Sequence, residues 1–85
     1  MSSVPELSGY SFHFAGWLDV SHMRAREYVA HKDGEPIDQF HVFFAGGEWN
    51  AWTADSLSET MIRIRRTFAA TLTRSDPATT SPPAV

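Results

Sequence analysis

Residues 39–53 read QFHVFFAGGEWNAWT and combine five aromatic side chains with a Gly-Gly pair. Two adjacent glycines accept the positive φ angles that a tight two-residue turn requires, so this stretch predicts a β-hairpin. Opposite residues in the hairpin are predicted to be Ala45–Glu48, Phe44–Trp49, Val42–Ala51 and Phe40–Thr53. Side chains alternate along a strand, so Phe40, Val42 and Phe44 form the apolar core side. His41, Phe43 and Trp52 then point to the opposite side.

A second hairpin is predicted around Asp33-Gly34, the strongest short-range turn signal in the chain. A two-residue turn there joins residues 23–32 to the strand that begins at Glu35. The predicted pairs are Lys32–Glu35, Val29–Asp38, Glu27–Phe40, Ala25–Val42 and Met23–Phe44. This register agrees with that of the first hairpin, because both place Phe40 and Val42 on the core side. Residues 10–17 alternate as well and predict a further strand, with His13 and Trp17 extending the opposite side.

Residues 54–72 carry the helical signal. Ser56 followed by Glu59 is typical of a capping box at a helix start. An apolar stripe recurs at helical spacing and comprises Leu57, Met61, Ile64, Phe68 and Leu72. We therefore expect an α+β fold, with a three- to four-stranded, largely antiparallel sheet and one C-terminal helix packed on one face.

The chain of 85 residues is long enough for one small domain. Residues 1–8 predict a flexible N-terminal arm, residues 9–74 the α+β domain, and residues 75–85 a disordered Pro/Ser/Thr tail. The sequence contains no cysteine, which excludes disulfides and thiolate metal sites. The N-terminus does not resemble a secretory signal, and no stretch is apolar enough to span a bilayer, so a cytoplasmic location is expected.

Charge and motifs argue against most catalytic and nucleic-acid classes. The formal net charge is -3, the opposite sign to that of a typical nucleic-acid binder, although the C-terminal third is locally basic. Histidines stand at positions 13, 22, 31 and 41, which is not a zinc-ligand spacing. No catalytic motif is present, so neither an enzyme nor a metal or other cofactor is expected.

The side opposite the core is the predicted binding face, because exposed aromatic residues interleaved with arginine are typical of interface hot spots. Its predicted members are Arg24, Arg26, Tyr28, His41, Phe43, Asn50 and Trp52. The expected function is non-enzymatic protein binding, with another protein or a second copy in a homodimer as the partner. A small acidic chain of this kind fits an inhibitor or regulator of a larger host complex, as many phage-encoded proteins are.

Two alternatives remain open from the sequence. Arg63 and Arg66 lie away from the apolar stripe and form a second-choice binding surface on the helix. Together with the aromatic face they would suit a nucleic-acid-associated protein. The other alternative is a small ligand-binding protein or enzyme with its site near His41 and Trp52. No membrane partner is expected.

Overall fold

The computed structural model describes residues 5–73. Within this range, only the backbone of Val20 is described. A short 3-10 turn at Pro5–Leu7 precedes β1 (Tyr10–Val20), β2 (Met23–Lys32), β3 (Glu35–Ala45), β4 (Glu48–Ala51) and α1 (Glu59–Ala70). The strands form one antiparallel sheet in the order β1-β2-β3-β4, which confirms the predicted α+β fold. The predicted tail, residues 75–85, and the first four residues of the predicted arm lie outside the described residues. Leu7, within that arm, packs against the core.

The β3–β4 hairpin has the predicted register. Gly46 and Gly47 adopt φ angles of 66° and 83°, the left-handed conformation that glycine accepts without a Cβ penalty. Phe44 pairs with Trp49, and the ladder continues to Val42 and Ala51. β4 ends there, so the predicted Phe40–Thr53 pair lies beyond the ladder.

The β2–β3 hairpin turns at Asp33-Gly34 as predicted, but its register changes after the first pairs. Lys32 faces Glu35 and His31 faces Pro36, and then Ala30 faces Asp38. Ile37 is therefore an extra residue in β3, a β-bulge next to a proline that has no N–H to donate. Beyond the bulge the predicted register is wrong by one residue. Phe40 faces Tyr28 instead of Glu27, and Val42 faces Arg26 instead of Ala25.

A second bulge interrupts β1. Phe14 pairs with Tyr28 and Gly16 with Glu27, so Ala15 is the additional residue. Gly16 has a φ of 143°, a conformation that side chains disfavour, which explains a glycine at this bulge. After the bulge Trp17 pairs with Arg26, which itself pairs with Val42 on the core side. The expectation that Trp17 lies on the same face as His41 is therefore wrong.

The helix starts later than the sequence suggested. Ser58 is the N-cap, and its Oγ accepts a hydrogen bond from the Met61 N–H at 3.2 Å. The predicted cap at Ser56 is wrong because the chain first makes a turn there, closed by a hydrogen bond from Leu57 N–H to the Ala54 carbonyl. α1 ends at Ala70 with Thr71 as its C-cap.

The core lies between α1 and one face of the sheet. Phe68 stacks on Phe12 with 4.0 Å between ring centroids and meets Tyr28 and Phe40 edge-on. Phe40 and Val42 are almost completely buried, as predicted. Phe44 and Trp49 are only half-buried, since they lie near the β3–β4 turn at the margin of the helix.

Candidate functional site

The two faces of the sheet differ in what covers them. The helix-side face consists of the even-numbered positions of β2, residues 38, 40, 42 and 44 of β3, and the residues paired with them, and α1 packs on it. The open face consists of the odd-numbered positions of β2, residues 39, 41, 43 and 45 of β3, the residues paired with them, and Trp52. The strand residues of the core cluster described for residues 5–73, Tyr28, Phe40 and Val42 among them, all lie on the helix-side face.

Four residues of the predicted binding face lie on the open face. His41, Phe43 and Asn50 occupy the expected positions, and Trp52 follows β4 with 58% of its surface exposed. The Asn50 side chain donates to the carbonyls of Ala45 and Glu48, each at 3.0 Å, and so closes the β3–β4 turn. Their role in binding stays a prediction.

The other three members of the predicted binding face, Arg24, Arg26 and Tyr28, lie on the helix-side face. The bulge at Ile37 shifted the register and placed these residues beside Phe40 and Val42. Tyr28 is 5% exposed and Arg26 is 3% exposed, so neither presents a side chain to a partner. Arg24 remains exposed at the sheet end, 3.6 Å from Asp19.

Arg26 occupies a cation–aromatic site inside the helix-side face. Its guanidinium lies 4.2 Å from the ring centroid of Trp49 and 5.8 Å from that of Trp17. It also donates to the Thr73 carbonyl at 3.3 Å, and Trp49 Nε1 donates to the same oxygen at 3.0 Å. These contacts allow a charge to be buried where the sequence suggested a binding anchor.

Polar side chains form two small clusters on the open face. Nε2 of His41 lies 3.6 Å from the carboxylate of Glu27, which also accepts a hydrogen bond from Gln39. The rings of His13 and His31 meet edge-on with 4.4 Å between centroids. Residues 5–73 contain no group of three or more His, Asp or Glu side chains arranged to hold a metal ion.

Large apolar side chains surround these clusters. Leu18 is 39% exposed and Met23 is 43% exposed, and their strand positions lie on the open face. The sequence prediction missed both residues. The predicted register pairs Met23 with Phe44 on the core side, and the predicted first strand ends at residue 17, before Leu18. For Leu18 the available signal was Gly16, because a bulge at that point allows the strand to continue to Val20.

Positive charge is absent from the open face within the described chain. The six lysine and arginine residues of the described chain all lie on the helix side. They are Arg24, Arg26, Lys32, Arg63, Arg65 and Arg66. The acidic strand positions of the open face are Glu27 and Glu48. The open face therefore has aromatic and apolar groups without the cations that a phosphate backbone requires.

Arg65 connects the helix to the edge that carries Trp52. Its Nε and Nη2 donate to the two carboxylate oxygens of Asp38 at 2.8 and 2.7 Å. Its Nη1 donates to the Trp52 carbonyl at 2.7 Å. Arg65 is 5% exposed, whereas Arg63 and Arg66 remain exposed as expected.

A groove of about 1020 Å³ lies between the β3–β4 turn and the C-terminal end of α1. Trp49, Leu72 and Arg66 are among the residues that line it, whereas His41 and Trp52 are not. This position does not favour the ligand site that the sequence suggested near those two residues.

Comparison with known proteins returned no match among protein-family models, curated proteins or solved structures. The described chain contains no helix long and apolar enough to cross a membrane. The assignment of function therefore depends on the geometry of the two sheet faces.

Proposed function

We propose that this protein is a non-enzymatic binding module whose open face recognises a weakly charged protein surface, with Trp52 as its central anchor. The observation that carries the proposal is an exposed indole on a fixed backbone. The backbone N–H of Trp52 donates to the His41 carbonyl at 3.1 Å, and Arg65 Nη1 donates to the Trp52 carbonyl at 2.7 Å. The side chain nevertheless remains 58% exposed.

A fixed backbone lowers the entropy cost of using Trp52 in an interface. Association loses affinity when loops and side chains must be ordered, and a residue held from two sides has less freedom to lose. The indole offers a large apolar area together with one N–H donor, a combination that is enriched in interface hot spots. An exposed indole adds little to the free energy of folding, so the larger gain in free energy comes from its burial against a partner.

The surroundings of Trp52 support a protein partner. Cores of protein interfaces are depleted in charged residues and enriched in aromatic residues and methionine. The open face has this composition, with Leu18, Met23 and Phe43 and with Glu27 already engaged by His41 and Gln39. A module that covers a partner in this way would act as an inhibitor or regulator, the role that the sequence suggested.

The nucleic-acid alternative would have to use a different surface. Its cations would be Arg63 and Arg66, which are exposed on α1, and the aromatic open face would lie on the opposite side of the sheet. The basic residues and the exposed aromatic residues therefore lie on different surfaces of the molecule.

The test compares the parent chain with Trp52→Ala and with the helix-side control Arg63→Ala. Each immobilised chain captures proteins from native host extract, and every captured protein, copies of this chain included, is purified and titrated by calorimetry. We expect Trp52→Ala to weaken binding at least ~30-fold, the equivalent of the ~2 kcal/mol of an interface anchor. Arg63→Ala should bind like the parent. Circular dichroism checks that each variant remains folded.

The reverse pattern would contradict the proposal. Full binding by Trp52→Ala and loss of binding by Arg63→Ala would transfer the function to the helix surface. Arg26→Ala is unsuitable for this test, because removing a guanidinium that is 3% exposed disturbs the fold itself.

A further inference from the structure

We infer that the partner of the open face is a second copy of this chain, bound face to face so that two sheets stack between two outer helices. The inference rests on the proposed function and names its partner. Its geometry is that of a sheet sandwich, in which two inner faces pack about 10 Å apart. A two-fold axis would make the interface self-complementary, as in most homodimers.

Charge segregation is the first observation that favours a second copy. Two molecules with a net charge of -3 repel each other unless they meet through weakly charged surfaces. All described cations lie on the helix side, and Glu27 is engaged within its own chain by His41 and Gln39. Glu48 lies at the turn end of the sheet, away from its centre. Two open faces therefore meet with little like-charge repulsion.

The size of the face is the second observation. Three of its four strands are ten or eleven residues long. With strands ~4.8 Å apart and ~3.3 Å per residue, the three long strands cover roughly 14 by 33 Å and the four-residue β4 adds a short strip, on the order of 500 Å² in projection. The accessible area of projecting side chains exceeds that projection. Stable interfaces bury ~800 Å² per partner, so one face of this sheet is of the right order.

The incomplete layering of the domain is the third observation. The helix covers the helix-side face except near Trp17, which is 37% exposed, while Leu18, Met23 and Trp52 remain exposed on the open face. A chain this small buries a limited share of its apolar surface alone, and oligomerisation is a common way to increase it. A second copy supplies an apolar surface of matching composition without any further partner.

Sedimentation equilibrium of the full chain at pH 7.5 measures the dimer dissociation constant. The parent should dimerise, and the dissociation constant should rise at least ~30-fold in Trp52→Ala. Met23→Glu places a carboxylate on each copy within the interface and should also abolish the dimer. Arg63→Glu, a control on the helix surface, should leave it intact. Circular dichroism checks the fold of each variant, and Trp52→Ala carries the test alone if Met23→Glu unfolds.

A parent chain that is monomeric at pH 7.5 up to ~0.5 mM would overturn the inference. The proposed function would survive that result if another purified protein bound in a Trp52-dependent manner. A dimer unaffected by Trp52→Ala and by Met23→Glu would overturn the inference as well, because its interface would lie elsewhere, for example along the edge of β1. In that case Trp52-dependent capture again decides separately whether the proposed function holds.

Discussion

The two faces of this sheet are both rich in aromatic residues, yet they have different environments. On the helix-side face Phe12, Tyr28, Phe40 and Phe68 contact one another through their rings. On the open face Trp52 is 58% exposed. Aromatic content alone therefore does not identify a binding surface. The two faces differ instead in whether α1 packs on them.

The faces also differ in how they treat charge. Arg65 and Arg26 are buried on the helix side, where carboxylates, carbonyls and aromatic rings surround them. Glu27 and His41 on the open face are partly exposed, with 26% and 34% of their side chains accessible. The two buried guanidinium groups therefore contribute to the fold, whereas the side chains of Glu27 and His41 remain partly accessible to solvent.

The largest expected effect comes from the aromatic cluster of the helix-side face. Phe68→Ala removes the ring that stacks on Phe12 and should destabilise the domain by ~3–5 kcal/mol, enough to unfold a marginally stable chain. Urea unfolding followed by circular dichroism measures the change. Trp52→Ala is the matched control and, at a protein concentration below the dimer dissociation constant, should alter stability by less than ~1 kcal/mol, because its indole is exposed. Equal losses for both variants would erase the contrast between the faces.

The ion pair beneath β3 should give the next effect. Arg65→Ala leaves Asp38 without its bidentate partner and the Trp52 carbonyl without its donor, so we expect a loss of about 3 kcal/mol. Arg66→Ala, one residue further along α1 and exposed, should change stability by less than ~0.5 kcal/mol.

Denaturant unfolding of both single variants and of Arg65→Ala with Asp38→Ala completes a double-mutant cycle. Strong coupling between Arg65 and Asp38 is expected because the two side chains share two hydrogen bonds. Additive losses would show that the pair does not join the helix to the sheet.

The smallest effect concerns the start of α1. Ser58→Ala removes the acceptor of the Met61 N–H and should cost ~1 kcal/mol. Ser56→Ala should be nearly neutral, since Ser56 precedes the cap. Thermal melts of the two variants distinguish the observed cap from the one that the sequence suggested. A larger loss for Ser56→Ala would move the helix start towards the sequence prediction and change how α1 covers the sheet.

Much of the fold follows from local signals. Asp33-Gly34 and Gly46-Gly47 mark both predicted turns, because few other residues tolerate left-handed backbone there. The apolar spacing of Ile64 and Phe68 predicts the buried side of the helix. The β3–β4 register follows directly from its turn, and it correctly placed His41, Phe43, Asn50 and Trp52.

Membership of the faces in β1 and β2 did not follow from local signals. One extra residue in a strand exchanges the faces of every residue beyond it. The bulge at Ile37 therefore moved Arg26 and Tyr28 from the predicted binding face to the core, and the bulge at Ala15 moved Trp17. Gly16 was a visible sign of the second bulge, and Pro36 a weaker sign of the first.

The sequence by itself determined two of the turns, the antiparallel pairing of β2 with β3 and of β3 with β4, and the presence of one amphipathic helix, because each depends on preferences within a few residues. The place of β1 beside β2 came from the tertiary structure. Only the tertiary structure decided which residues of β1 and β2 face the helix, because a bulge is stabilised by the packing of two strands and the helix together. It also decided the burial of Arg26 and Arg65. A buried guanidinium requires acceptors and rings that are distant in sequence, namely Thr73 and Trp49 for one and Asp38 and the Trp52 carbonyl for the other.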